Sequence, residues 1–429
     1  MSLVVVCVDQ LPAYLLGPYG NTMFPTPAID QLAAQGFTLE RGFLQGELLH
    51  NRLSRNQWLS NWQQQDWQVT CFDQSEDELD FATQIPLEVP RSHQNASDWT
   101  ECTTAIYTSQ VLAHMDSLPL TDRQIVWIDL PLLRTSWDAP LAWREYLAGE
   151  EDPEILTGIQ IPNLPHSSSQ PGNLQTVDPD IRLLWEQACS AQIMLLDHCL
   201  EVLQDWLAEA WPSASILLTS QQGFSLGEHG GIGEIDNVHS EQTQVPWIFS
   251  PPDQPSAVRI PGVQSTEEWS QLVQEILSQD RETAAIGQRL EHESQQKLGW
   301  CQYSLFGQLP AEDRQAVLCW NQTQVAVRTN LWSFIWSRSP RVQLYVAPDD
   351  RFEQNDVADR CHALANLFLR NVGRFGYSLF TQLPDDCWWL QADETQAALP
   401  QNSEENPESS REWEAGLADL PEDFWIAAP

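Results

Sequence analysis

The stretch LLTSQQGFSLGEHGGIGE, Leu217 to Glu234, has the layout of a catalytic loop: a buried β-type run, a glycine turn, then Gly-Glu-His-Gly. The carboxyl end of such a strand is where an α/β protein places its ligands, and a metal there calls for acids or histidines. Gln221 and Gln222 stand at those positions instead. A second candidate end closes SLVVVCVDQ, where Asp9 is followed by Gln10. A hard dication takes several carboxylate oxygens, and one carboxylate with amide carbonyls holds it poorly. His50 and His229 could act as acids or bases, but only beside a positioned partner. Without one, His50 reads as a solvated loop imidazole and His229 as non-catalytic. Asp9 then reads as an acceptor for backbone amides or for Arg52.

These residues need elements to position them. SLVVVCVD reads as a buried strand, and TPAIDQLAAQGF as a short helix with Pro27 near its start and Gly36 as its stop. WQVTCF and RQIVWIDL are further strands. Ile181 to Trp211 is a long amphipathic helix closed by Pro212. A strand at 215–219, another near QVPWIFSPP and the helix EEWSQLVQEIL follow. This alternation predicts an α/β fold with a large, mainly parallel sheet between helices over 1–300. Beyond it, AVLCW, QVAVRT, LWSFIWS and VQLYVA read as short strands in series before the helix DVADRCHALANLFLRNV. That predicts a small antiparallel subdomain over 301–383. Residues 384–429 read as an acidic, loosely docked tail, with an apolar LPEDFWIAA clip that would dock on the chain itself or on a partner.

The bulk numbers exclude whole classes. Sixty acidic residues oppose 21 basic ones, for a net charge of −39. Such a surface disfavours nucleic acid and anionic membrane. It also repels phosphorylated or sulfated molecules unless a local cationic site overcomes the field. Nine scattered cysteines, with no CxxC pair, argue against a zinc site or a disulfide framework. No run is long enough to span a membrane. The short apolar run Leu3–Val8 lacks the flanks of a signal segment, so the expected location is cytoplasmic. Most of the 20 tryptophans are expected in cores, with Trp58, Trp62 and Trp67 near the rim of the cleft.

The order of motifs carries a resemblance. VVVCVDQLPAYLLGPYGNTMFPTPAIDQLAAQGF, the 217–234 loop, and AVRTNLWSFIW followed by VQLYVAPDDRFEQNDVA resemble the sulfatases of the alkaline phosphatase superfamily, over roughly residues 3–370. The resemblance implies that fold, one calcium ion, and a formylglycine nucleophile. It places the metal-binding acids at Asp9, Gln10 and Gln221, their His or Asn neighbour at Gln222, and His229 in a structural turn. It places the nucleophile at Leu48, if Arg52 is the motif arginine, or at Asn51 if the register moves to Arg55. A leucine cannot attack or ionise. The family lysine and histidine after the next strand fall on Gln74 and Glu76, and the sulfate-binding lysine on Glu234. An acid there repels a sulfate. Replacing acids with glutamine removes like charges that a lost dication would leave unpaired, while keeping hydrogen-bonding capacity.

The expectation is therefore a catalytically inactive, sulfatase-like protein without metal or cofactor, with a binding, scaffolding or regulatory role toward an unknown protein or small-molecule ligand. The alternative is a divergent sulfate- or phosphate-ester hydrolase using a water nucleophile with Asp9, His50 or His229, and Arg52.

Overall fold

The β-branched run Ser2–Val8 forms β1, and all seven residues are buried. Val4, Val6 and Val8 enter one core, and Leu3, Val5 and Cys7 the other, as the two-residue period of a strand covered on both faces requires. The computed structural model describes residues 2–48, 51–73, 82–88, 94–118, 123–149, 154–158, 178–233, 235–252, 257–279, 316–321, 323–337, 341–347 and 349–379, with Ser92 and Thr121. His50, Gln74, Glu76, Glu234 and the tail 384–429 lie outside the described residues, and of Arg52 only its place in a helix is described.

The elements are α1 (Pro27–Ala34), β2 (Phe37–Phe43), β3 (Gly46–Glu47), α2 (Asn51–Gln63), β4 (Gln68–Asp73), β5 (Thr83–Pro86), α3 (Thr103–Met115), β6 (Gln124–Leu130), α4 (Leu141–Leu147), α5 (Pro179–Ala210), β7 (Ala214–Ser220), β8 (Ser225–Leu226), β9 (Ile232–Gly233), α6 (Ser240–Thr243), β10 (Trp247–Ser250), β11 (Val258–Ser265), α7 (Thr266–Gln279), β12 (Val317–Trp320), β13 (Gln324–Arg328), β14 (Trp332–Ser337), β15 (Arg341–Val346) and α8 (His362–Leu379). Eight strands form the main sheet in the order β11-β2-β10-β7-β1-β6-β4-β5. β10 alone opposes its neighbours β2 and β7, and the other seven strands share one direction. The mainly parallel sheet expected from the strand–helix alternation is present.

Helices cover both faces. α1, α3 and α5 supply Ile29, Tyr107, Val111, Leu196 and Leu200 to one core, while α2 and α7 supply Trp58, Leu59, Trp62, Trp269 and Val273 to the other. α5 starts where the Asp178 carboxylate accepts the Asp180 N–H, with Pro179 in the first turn, and ends at Trp211 just before Pro212. Each fully buried leucine on its inner face contributes about 1.5–3 kcal/mol.

The four strands read in series form the antiparallel run β12–β15. α8 packs on it, with Phe334 and Phe368 stacked at 5.3 Å. Two features differ from expectation. β3, from the N-terminal part of the chain, joins this sheet parallel to β12. The last helix begins at His362, because residues 350–357 are committed to a turn in which Asp350 and Asp356 accept backbone N–H groups.

Candidate functional site

Strand order branches at β1. One neighbour is β7 and the other β6, so the carboxyl ends of these three strands meet where open α/β sheets bind their ligands. Asp9, Asp129 and Gln221 stand at those ends.

Asp9 is buried, and its two oxygens accept four backbone N–H groups. Oδ1 takes those of Gln10 (2.6 Å) and Leu133 (3.0 Å), and Oδ2 those of Leu132 and Arg134 (both 3.0 Å). Burial pushes its pKa up, and the amides from 132–134 oppose that shift. The reading of Asp9 as an amide acceptor holds. The neighbouring glutamines are engaged elsewhere. Gln222 accepts from Arg134 Nη2 (3.2 Å) and donates to Gln242 Oε1 (2.8 Å). Gln221 Nε2 donates to Asp129 Oδ1 (3.3 Å). Gln10 is buried, with its Nε2 unpartnered, so it turns a donor toward its surroundings. The calcium ion that the resemblance implies does not fit this donor set. The one carboxylate is capped by N–H groups, and two of the three amides are tied to protein partners.

Leu48, at the nucleophile position, packs beside Val238, Cys319, Ala326, Ile335 and Tyr345, against the inner face of the C-terminal sheet. It is an apolar anchor between β3 and β12. Arg55 lies about one turn beyond Arg52 along α2, and its role was not evident from the sequence. Its guanidinium pairs with Asp129 at the end of β6, and with Asp73 at the end of β4 (3.5 Å). Asp129 also accepts from Trp127 Nε1 (2.6 Å), and Asp73 from Gln84 Nε2 (2.9 Å). Burial works to lower the Arg55 pKa, but Asp129, Cys71, Asp73 and Cys7 together outweigh it and raise the value. Burial pushes Asp129 up, and Arg55 restrains it. Cys71, Asp73 and Asp129 bring ligand-type atoms together, and the fixed cation among them is Arg55. The alternation in VTCFD and VWID does place both acids on the face of Cys71 and Trp127, which was the available signal.

His229 does not meet this centre. Its Nδ1 pairs with Glu241 (2.9 Å), and its Nε2 bonds the Glu353 carbonyl (3.1 Å). The ring stacks on His239 at 3.5 Å. His239 Nδ1 pairs with Glu353 Oε2 (2.8 Å), and Glu353 also pairs with Arg328 and accepts from Ser333. Burial disfavours the His229 charge, but Glu241 overcomes it and lifts the pKa to about 9. His239 is pushed down by burial and by that neighbour. Burial would raise Glu353, yet Arg328, His239 and Ser333 together bring it to about 2. The group is a buried ionic junction joining the Gly-Glu-His-Gly loop to the C-terminal sheet.

Trp58, Trp62 and Trp67 are buried, with edge-to-face contacts at 5.6 and 4.6 Å. They form core beneath α2, and Trp62 and Trp67 do not line the cavity at the strand ends, which corrects their placement at a cleft rim. Trp58 additionally contacts Trp127 at 5.3 Å. Those two line a cavity of about 180 Å³ that runs from Arg55 and Gln221 to Ser270 on α7. The buried cysteines 7, 71, 102, 189, 199 and 319 are unpaired, as their apolar settings suggested.

No protein-family model matches the sequence, and no curated protein does. Solved structures do resemble it. A candidate sulfatase from Bacteroides thetaiotaomicron superposes with a TM-score of 0.61 at 13% identity, covering 89% of this chain and 94% of its own. A 2-O glycosaminoglycan sulfatase gives 0.59 at 12%, covering 95% and 96%. The phosphonate monoester hydrolase of Agrobacterium radiobacter gives 0.56 at 11%, covering 86% and 96%. With its large mainly parallel sheet and appended antiparallel strands, the chain has the sulfatase fold, as its motif order implied.

Proposed function

We propose that this protein is a non-hydrolytic member of the sulfatase fold, with a binding or regulatory role and no resident metal. One observation carries the reading: both oxygens of Asp9 are held by four backbone N–H groups. A carboxylate so capped is poorly placed to ligate a dication or take a proton from water. Leu48 supplies no nucleophile and packs into an apolar junction. Arg55 meets the charge of Asp73 and Asp129 from within the chain.

The alternative, a divergent ester hydrolase acting through Asp9, His50 or His229, and Arg52, draws no support from His229, which is bonded to Glu241 and to the Glu353 main chain. In the favoured reading the ligand is a small molecule or a protein segment meeting the cavity beside Arg55, in a cytoplasmic setting consistent with unpaired cysteines. The test is turnover of aryl sulfates, aryl phosphates and aryl phosphonates. We expect none above a buffer blank. Activity that co-purifies with the chain and disappears in Asp9→Ala would establish the hydrolase instead.

A further inference from the structure

A second cavity, of about 300 Å³, opens where β2, α6 and β11 face the C-terminal strands. It shares no lining residue with the cavity beside Arg55. Its charge is anomalous for this chain. Acids outnumber bases 60 to 21 overall, yet this cavity is lined by four arginines (Arg41, Arg259, Arg328 and Arg351) and three acids.

The three acids are already committed. Glu40 accepts from Arg259 Nε at 2.7 Å. Glu353 holds Arg328, His239 and Ser333. Asp350 caps the turn by accepting the N–H groups of Gln354 and Asn355, at 2.8 and 2.6 Å. Two of the arginines retain unused capacity. Arg351 lies with its guanidinium over the Phe352 ring at 5.6 Å and beside Gly20, with no carboxylate partner among the described residues. Arg328 is fully buried and its Nε–H has no acceptor. Such a donor is costly to leave unmet, and guanidinium forks match the oxygens of a phosphate. A cavity of this size admits a small metabolite.

We propose that this cavity binds a small phosphorylated molecule, with its phosphate on Arg351 at the mouth and the buried Arg328 behind. The site is independent of the chemistry at Asp9, and it supplies the local cationic patch that an anion needs to approach so acidic a chain.

The probe is inorganic phosphate, titrated into the full chain at about 0.15 M ionic strength, where long-range repulsion is screened. Calorimetry and thermal shift are read against sodium chloride of matched ionic strength. We expect saturable binding and a rise in melting temperature that chloride does not reproduce. Arg351→Gln should weaken binding by about tenfold or more, the loss of charge-assisted hydrogen bonds. Arg351→Lys should retain part of the affinity. Arg123→Gln, a surface change whose native guanidinium bonds the Gln65 carbonyl, should change nothing. Arg351 is exposed, so its variants should fold like the parent. No saturable response in the parent, or equal binding by Arg351→Gln and the parent, would overturn the proposal. Equal loss in Arg123→Gln and Arg351→Gln would also overturn it, by showing diffuse attraction only.

Discussion

Replacing Arg55 with methionine keeps most of the side-chain volume and removes the guanidinium from between Asp73 and Asp129. The pair is largely shielded from water, with side-chain exposures of 8% for Arg55, 1% for Asp73 and 13% for Asp129. Breaking a buried ion pair from one side costs about 3–5 kcal/mol, mostly because the remaining charge is left uncompensated. The lower end applies here. Asp129 keeps its bonds from Trp127 and Gln221, and Asp73 keeps that from Gln84. Arg55→Met should therefore lose about 3 kcal/mol near neutral pH. The deficit has a pH signature. Arg55 restrains the Asp129 pKa, which burial has already raised, so removing it raises that pKa further. The penalty exists only where Asp129 is ionised in the parent, and it shrinks as pH falls through that group's folded pKa. Denaturant melts of the parent, Arg55→Met, Asp129→Asn and the double variant, at pH 7 and pH 5, complete a thermodynamic cycle. The double variant should recover most of the loss. A single variant within about 0.5 kcal/mol of the parent, the range of an ordinary surface change, or a double variant that recovers none of the loss, would refute the role given to Arg55.

Asp9→Asn should be more damaging than a near-isosteric change suggests. It leaves one acceptor oxygen for four N–H groups and turns an NH2 toward two of them, at a cost of about 2–4 kcal/mol on denaturant melts. A neutral result would mean the amide cage is not formed. His229 gives an alkaline limb. Its folded pKa of about 9 exceeds the ordinary 6.5, so the stability it contributes is complete below about pH 6.5 and is lost as pH rises through 9. The difference corresponds to at most about 3 kcal/mol. A melt series from pH 6 to 10 should decline between about pH 6.5 and 9 in the parent, and less so in His229→Gln. Parallel profiles would remove His229 from the account.

The strands with the clearest pattern were legible in the sequence. β1 has an uninterrupted apolar run at Leu3–Val8 and β7 an apolar centre at Ile216–Leu218, and glutamine at 10, 221 and 222 set those strand ends apart. Strands β2 and β11 were among those that were not. β2, FTLERGF, carries Glu40 and Arg41 in its middle, and β11, VRIPGVQS, contains Pro261 and Gly262 and breaks register there. Both lie toward one edge of the sheet, where polar residues and proline are tolerated. α3, TTAIYTSQVLAHM, is rich in β-branched residues, and packing against α5 and β6 overrides their propensity. The ionic centre was hidden for another reason. Arg55 meets Asp129 across 74 positions, and no local pattern states which way a long side chain turns. The second arginine of LLHNRLSR drew notice only as an alternative register, although it is the one that joins the strand ends. His229 was read as a turn residue, but its partners Glu241 and Glu353 come from distant parts of the chain.

The central claim is that the strand ends around Asp9 are complete without a divalent cation. Elemental analysis of the full chain, purified without chelator and dialysed against calcium, tests it directly. Far less than one equivalent of calcium, magnesium or manganese per chain is expected, with a melting temperature unmoved by added calcium or EDTA. Close to one bound equivalent, lost together in Asp9→Ala and Gln221→Ala and accompanied by a calcium-dependent rise in melting temperature, would contradict it.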